Sequence, residues 1–343
     1  MTTRRTWPQS PAQSALLLLL LLPSLLLLGA ASAVEDPAKC SACEAVAGDL
    51  AKLNATTSTP AIIKLLESEY CNVVYAHSAA KRLACDAAAK GLGAAYAAAR
   101  KEIASLAWSP SNICGVAGLC SFDCCNASNV PEQVHLSLTG EPSEMTAMWT
   151  TLRQTTDHVV QWGTAPGKLS SQSDAAAGAS STYTHFGWIG MFHRAAMTGL
   201  APGTRYYYRV GSANASLWSQ EFSFRTLPDP SDNATLVVAS VGDMGYGPAS
   251  DDTVMRLTEL VAAEKIDIVV HNGDISYADG DYTHWDIFMR KIEPVAAQVP
   301  YMVSPGNHEF YFNFSAYKHR FYMPDRGANN GLYYAFRAGA ANF

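Results

Sequence analysis

Cysteine is missing from residues 126 to 343 of this 343-residue chain; all eight cysteines lie between Cys40 and Cys125. Any disulfide framework is therefore confined to the front of the protein, and the remainder must be held by its own packed core. Charge is sparse as well, at 16% of residues, with 24 Lys and Arg against 30 acids and a net charge of −6. No run of five basic residues occurs, and this balance excludes a polyanionic nucleic-acid partner. Long apolar runs are scarce: the only one, Leu16 to Leu28, is interrupted by Pro23 and falls short of the roughly 20 residues a membrane crossing needs. With 48% hydrophobic residues the chain is not disordered, and its length gives room for about two or three domains.

What is present begins with a leader. Arg4 and Arg5 precede the leucine run and Ala31-Ser32-Ala33 follows it, which reads as a signal peptide over residues 1–33 with a mature chain starting near Val34. No other stretch could span a bilayer, so no transmembrane segment is expected after signal cleavage. Five N-x-[ST] sequons, at Asn54, Asn126, Asn214, Asn233 and Asn313, agree with a secreted protein, extracellular or vacuolar/lysosomal, because asparagine glycosylation belongs to that route.

Residues 34–125 form the cysteine-rich region. Val46, Leu50 and Leu53 recur at helical spacing, and Ala87 to Ala99 is alanine-rich, both of which favour helices. The order Cys40-x2-Cys43, then Cys71, Cys85, Cys114 and Cys120, resembles the framework of saposin-like domains, which are small helical bundles. That resemblance implies the pairs Cys40–Cys120, Cys43–Cys114 and Cys71–Cys85; sequence alone allows 15 pairings of six cysteines. It leaves Cys124 and Cys125 unassigned. Saposin-like domains often engage lipids, so a lipid contact is implied, although basic and acidic residues nearly balance in this region and no cationic face draws it to an anionic surface.

From residue 130 to 228 the pattern turns to short alternating strands: Val134 to Leu138, Met145 to Thr151, His158 to Gly163, Arg205 to Gly211 and Glu221 to Thr226. This reads as a β-sandwich. The stretch Leu200-Ala-Pro-Gly-Thr204-Arg-Tyr206 looks like the strand entry of a fibronectin III-like module, in which a tyrosine closes a corner between sheets. Trp149 and Trp162 are expected in its core. Pro228-Asp-Pro-Ser-Asp-Asn233 reads as a linker.

Residues 235–343 alternate apolar strands with helical stretches, as a parallel α/β domain does. Three strands each end in a polar cluster: Leu236 to Val241 in Gly242-Asp243-Met244-Gly245, Asp267 to Asn272 in Gly273-Asp274-Ile275-Ser276-Tyr277-Ala278-Asp279, and Tyr301 to Ser304 in Gly306-Asn307-His308-Glu309. Ligands of open α/β sheets gather at the carboxyl ends of strands, so the three clusters should converge. Carboxylate and phenolate oxygens are hard donors suited to Fe(III), and an amide oxygen suits a divalent ion.

G-D-x-G, G-D-x-x-Y and G-N-H-E in this order resemble purple acid phosphatases, a branch of the metallophosphoesterases, and the resemblance extends from about Val130 to the end. The wider superfamily has D-x-H in the first cluster; here Gly245 stands where that histidine would be, and Tyr277 offers a replacement ligand. The resemblance implies that Asp243 and Tyr277 bind Fe(III), that Asp274 bridges to a divalent Zn, Mn or Fe ion, that Asn307 binds the divalent ion, and that His308 acts on the substrate. It implies an acid phosphatase acting on phosphate monoesters. The family pattern has three further histidines, in V-x-x-H-like and G-H-x-H segments, and neither segment occurs after Asn307. His271, His284 and His319 lie in other contexts, and Leu332 to Phe336 leads into what reads as an unfinished last strand. Two other readings stand beside this one. A sphingomyelinase-like phosphodiesterase is suggested by a saposin-like domain ahead of metallophosphoesterase motifs, against which Gly245 and Tyr277 speak. A non-catalytic secreted binding or pseudoenzyme module is suggested by the missing histidines.

Peptide mapping under non-reducing conditions is expected to recover Cys71 linked to Cys85. Recovery of Cys71 joined to any other cysteine removes the saposin-like assignment.

Overall fold

The computed structural model describes residues 58–65, 67, 90, 122–123, 125, 129–183, 188–229, 231–232, 234–324 and 329–343. The leader, the six-cysteine framework, Asn54, Asn126 and Asn233 lie outside the described residues. Two observations bear on the front region: Thr59–Leu65 is helical, and Cys125 is disulfide-bonded, a bond that the sequence left unassigned. Among the described residues, no helix is long and apolar enough to cross a membrane. Asp123 to Tyr183 and Ile189 to Phe343 make one compact unit, which carries both the strand-rich and the α/β regions.

Two antiparallel sheets form the first part of that unit. One has the strands β1 (Glu132–Ser137), β2 (Met145–Thr151), β5 (Ala179–Ser181) and β6 (Met191–Met197) in the order β1-β2-β6-β5. The other has β3 (Val159–Gly163), β4 (Ser171–Gln172), β7 (Arg205–Ser212) and β8 (Leu217–Trp218) in the order β8-β7-β3-β4, with β9 (Phe222–Arg225) also on β7. Alternating apolar side chains bury one face of each sheet, and Leu136, Trp149, Trp162, Tyr208, Val210 and Phe224 are all buried. The Tyr206 hydroxyl accepts the Ala201 amide at 2.9 Å, so this tyrosine ties its strand to the corner leading into it, as the sequence pattern predicts. Strand β6 was not foreseen. Its sequence, Met-Phe-His-Arg-Ala-Ala-Met, has no β-branched residue, and it is held by a seven-residue register with β2. Tertiary pairing has overridden propensity there.

The second part is a parallel sheet in the order β10 (Val238–Val241), β11 (Ile268–Asn272) and β12 (Tyr301–Ser304). Val241, His271 and Val303 are level across it. Helix α1 (Asp251–Ala262) connects the first pair of strands and α2 (Tyr282–Ala296) the second. Phe288, Ile292 and Val295 of α2 are buried, and the Asp281 side chain caps its start by accepting the Thr283 amide. The segment α3 (Tyr311–Arg320) is interrupted at Phe312, Asn313 and Phe314, which are left-handed with φ of 52, 58 and 60°. The end of the chain departs from the open strand expected: β13 (Arg337–Ala338) and β14 (Ala341–Asn342) pair as a short hairpin turned at Gly339. A Cβ on Gly339 would come within 3.0 Å of the Leu236 side chain, which shows how closely the hairpin seats on the strand leading to β10.

A buried polar seam joins the two parts. The ladder between β1 and β2 slips between Glu132 and His135, and Gln133, in the slip, has φ of 60°. Such a bulge re-aims its side chain, and Gln133 reaches Asp286 of α2 at 3.2 Å and accepts from Arg320 of α3 at 2.9 Å. Arg320 is 1% exposed and lies 2.7 Å from the Asp286 carboxylate. Its guanidinium also donates to the Tyr183 hydroxyl, at 2.8 and 3.1 Å. Removing one partner of a buried pair strands the other charge and costs about 3–5 kcal/mol. Arg320→Met is therefore expected to lower unfolding stability by about that amount in urea titration, and Arg320→Met combined with Asp286→Leu to recover most of it. Equal losses in the single and double variants would show that the pair does not act as a unit.

Candidate functional site

The first two strands of the parallel sheet lead into loops whose backbone is bent sharply at their first polar residues. Asp243 has φ of 53° and Gly245 of 74°; Gly273, Asp274, Tyr277 and Asp279 have 75, 48, 51 and 51°. Left-handed backbone costs a non-glycine residue about 1–2 kcal/mol, so four such residues in two loops require support. The first two loops supply it to each other, continuing the strand pairing beyond the sheet: the Asp243 amide donates to Gly273 at 3.3 Å, Gly245 to Ile275 at 3.0 Å and Tyr246 to Ser276 at 2.9 Å. The third loop is clamped to the second by Glu309. That buried side chain accepts the Ile275 amide at 2.9 Å through Oε1 and its own loop's Gly306 amide at 2.8 Å through Oε2. Burial raises the Glu309 pKa and the two amide bonds oppose the rise.

Three of the four expected ligands are thereby brought together. The Tyr277 hydroxyl donates to Asp243 Oδ1 at 2.7 Å. This hydrogen bond, with burial and the charges of Asp243 and Asp274 behind it, pushes the phenol up to about 12. Asp274 Oδ1 accepts the His308 amide at 3.1 Å, which joins the second loop to the turn Asn307–Glu309. Asn307 opens that turn and its side chain is exposed. Among the described residues there is no cluster of three or more His, Cys, Asp and Glu side chains placed to hold a metal ion; the group here is two carboxylates with a phenol and an amide. As oxygen donors, Asp243, Tyr277 and Asp274 fit a hard cation such as Fe(III) once the phenol proton is lost. For a second ion these residues offer Asp274 and Asn307.

His308 stands against this group, its ring centroid 4.3 Å from that of Tyr277. Its Nδ1 lies 2.5 Å from Asp279 Oδ1. Asp279 was not singled out in the sequence, although it is the last residue of the second polar cluster; the signal that could have found it is its spacing, two residues beyond Tyr277 on the same bent loop. Glu309 was likewise visible in G-N-H-E without an assigned role. The remaining histidines stay outside the group. His271 is buried below the loops, bonded through Nδ1 to the Tyr301 hydroxyl at 2.9 Å, and burial lowers its pKa to about 4 against the pull of Asp243 and Asp274. His284 stacks on Tyr246 at 3.8 Å, and His319 contacts Ser181 at 3.1 Å.

The glycines explain why the loops can approach so closely. A Cβ on Gly273 would meet the Gly306 backbone at 3.0 and 3.1 Å, and one on Gly306 would strike the Asp274 carboxylate and amide. A Cβ on Gly245 would touch the Tyr277 ring at 3.4 Å in a left-handed conformation. Tyr277 thus packs beside position 245, whose left-handed backbone favours glycine.

This arrangement of fold and loops defines a class: a calcineurin-like phosphoesterase domain, which residues 236–340 match, behind a purple acid phosphatase N-terminal domain, which residues 131–226 match. The chain is homologous to acid phosphatase type 7. It is 42% identical to that protein from Homo sapiens over 224 residues, covering 63% of this chain and 48% of the relative. A probable inactive purple acid phosphatase 1 of Arabidopsis thaliana is 34% identical over 206 residues, 53% of this chain and 33% of that one. Among solved structures, the purple acid phosphatase PPD1 from yellow lupin (Lupinus luteus) seeds aligns with a TM-score of 0.54 at 27% identity, over 61% of this chain and 43% of the other. The chain spans about half the length, or less, of these relatives.

Gly306→Ala is expected to destabilise the protein by about 1–3 kcal/mol through overpacking against Asp274. Urea titration checks it. Unchanged stability would mean that Asp274 can move aside without cost.

Proposed function

We propose that this chain is part of a secreted acid phosphatase that hydrolyses phosphate monoesters with a dinuclear Fe(III)–divalent centre. The observation that carries the reading is the meeting of Asp243, Asp274 and Tyr277 beside His308 at the carboxyl end of a parallel sheet. Asp243 and Tyr277 would hold Fe(III), Asp274 would bridge, and Asn307 would take the divalent ion, which is Zn, Mn or Fe. When bound, two metals would supply Lewis-acid neutralisation of phosphoryl oxygens and an acidified water. The protein's own part is proton handling. The His308 Nδ1–Asp279 contact orients the ring, and only as an imidazolium, with Nδ1–H donating to Asp279, would the ring also carry an Nε2 proton to give to the leaving oxygen. Orientation matters because phosphate-ester hydrolysis can demand accelerations up to about 10^21-fold.

Around this site the reading takes residues 1–33 as signal peptide, 34–125 as a saposin-like domain with possible roles at lipid surfaces, 130–228 as a fibronectin III-like sandwich and 235–343 as phosphoesterase domain. It also takes the sequons as glycosylated. The supports are the leader's charge and leucine pattern, the cysteine order and the sequons. A sphingomyelinase-like site would need a histidine at position 245, where glycine stands in a left-handed conformation, φ 74°, that side chains rarely adopt.

The test compares residues 1–343 with a form lengthened by the family's remaining histidine segments, both with added iron and zinc. The lengthened form is expected to bind two metals, turn over phosphate monoesters in acid and absorb visible light through phenolate-to-iron charge transfer, a band lost in Tyr277→Phe. Residues 1–343 alone are expected to hold the second ion weakly, with two donors, and to turn over poorly. A band that survives Tyr277→Phe, or equal turnover by the two lengths with two metals bound to each, overturns the assignment.

A further inference from the structure

We propose that Asn313 carries an N-linked glycan attached before its segment folds, and that the glycan is rooted within about 18 Å of His308. Asn313-Phe314-Ser315 is a sequon, and the attached sugar needs a surface position. Asn313 is exposed, whereas Ser315 is buried, at 9% exposure. A sequon is read as a unit, its hydroxyl included, so the folded protein presents the amide and withholds the other half of the signal. The backbone is fixed as well. Phe312, Asn313 and Phe314 are left-handed, Lys318 Nζ donates to the Asn313 carbonyl at 2.7 Å, and the Phe314 amide bonds to Phe310 at 3.3 Å. Attachment therefore precedes folding. Once the segment folds, the exposed asparagine keeps the sugar in solvent.

Asn214-Ala215-Ser216 provides an internal contrast. All three residues are exposed, in the turn between β7 and β8, so this sequon stays readable in the folded chain.

The position of Asn313 gives the glycan a consequence. It lies five positions beyond His308, which limits the separation of their Cα atoms to about 18 Å even for extended chain. Tyr311, between them, is near enough to Asp279 for that carboxylate to add to the effect of burial in pushing its phenol up to about 12. A bulky sugar rooted there obstructs a macromolecular phosphate ester more than a small one. Only this consequence rests on the phosphatase reading; occupancy does not.

Glycopeptide mapping of the chain secreted from a eukaryotic host is expected to find Asn313 occupied. Unglycosylated folded chain, offered to oligosaccharyltransferase with a lipid-linked oligosaccharide, is expected to gain sugar at Asn214 and not at Asn313, and to gain it at both when denatured. Asn313 empty beside an occupied Asn214 in the secreted chain, or equal transfer to both sites in the folded chain, overturns the proposal. Ser315→Ala should abolish occupancy at Asn313 alone. These maps require no turnover, so they stand or fall apart from the phosphatase assignment. In the lengthened enzyme, Asn313→Gln is expected to raise kcat/KM for a phosphoprotein severalfold relative to that for a small aryl phosphate, and an unchanged ratio overturns the obstruction.

Discussion

A guanidinium and a carboxylate buried together must stay together, because the interior offers neither of them water. Arg320 and Asp286 meet this condition in the seam between sandwich and parallel sheet, with Gln133 and Tyr183 filling the remaining hydrogen-bond geometry. The two charges stand on α2 and α3. Helix α2 starts three residues after Asp279, and α3 follows the turn that contains Asn307 and His308. The buried pair therefore sets the bases from which the second and third site loops depart. Further bonds reinforce the seam: Glu293 accepts the Val134 amide at 2.8 Å, Ser137 donates to the Tyr322 carbonyl at 2.7 Å, and Tyr208 donates to the Ala297 carbonyl at 2.8 Å. The sandwich serves the site by holding the helices that carry its loops.

Within that frame the loops are strained and mutually supported. Asp243, Asp274, Tyr277 and Asp279 adopt backbone conformations that favour glycine, and backbone pairing between loops, with the Glu309 clamp, keeps them there. Such bends aim consecutive polar side chains toward one point instead of alternating them across a strand. With these bends the Asp243 carboxylate of one loop lies 2.7 Å from the Tyr277 phenol of the next.

Much of this was legible in the sequence where local pattern and tertiary need coincide. Met145–Thr151 and Tyr301–Ser304 were bounded as they occur, since apolar alternation or a short apolar run between turn residues reports burial directly. The convergence of the three clusters followed from their shared place at strand ends. Met191–Met197 was hidden because it carries no β-branched residue, Phe192 being its one strong strand former, and its seven-residue register is with the distant Met145–Thr151. The Gln133 bulge and Arg320 were hidden for a related reason: a buried arginine resembles any surface arginine until its partners, 34 and 187 residues away, are known. The terminal hairpin depends on Gly339, whose turn gives a far weaker signal than the apolar run before it.

Asp279 shows why a site can be half visible. Ligand positions follow strands immediately, so strand pattern locates Asp243, Asp274 and Asn307. A residue that acts through another is found only when the second loop's bend is known. The same bend that places Tyr277 against Asp243 carries Asp279, two residues on, to His308. Asp274 lies between these contacts, accepting the His308 amide with Oδ1. One carboxylate thus links the tyrosine side of the group to the histidine side. Any movement of Asp274 is felt at both, and for that reason the glycine at 306, which gives this carboxylate its space, constrains the chemistry as firmly as the ligands do.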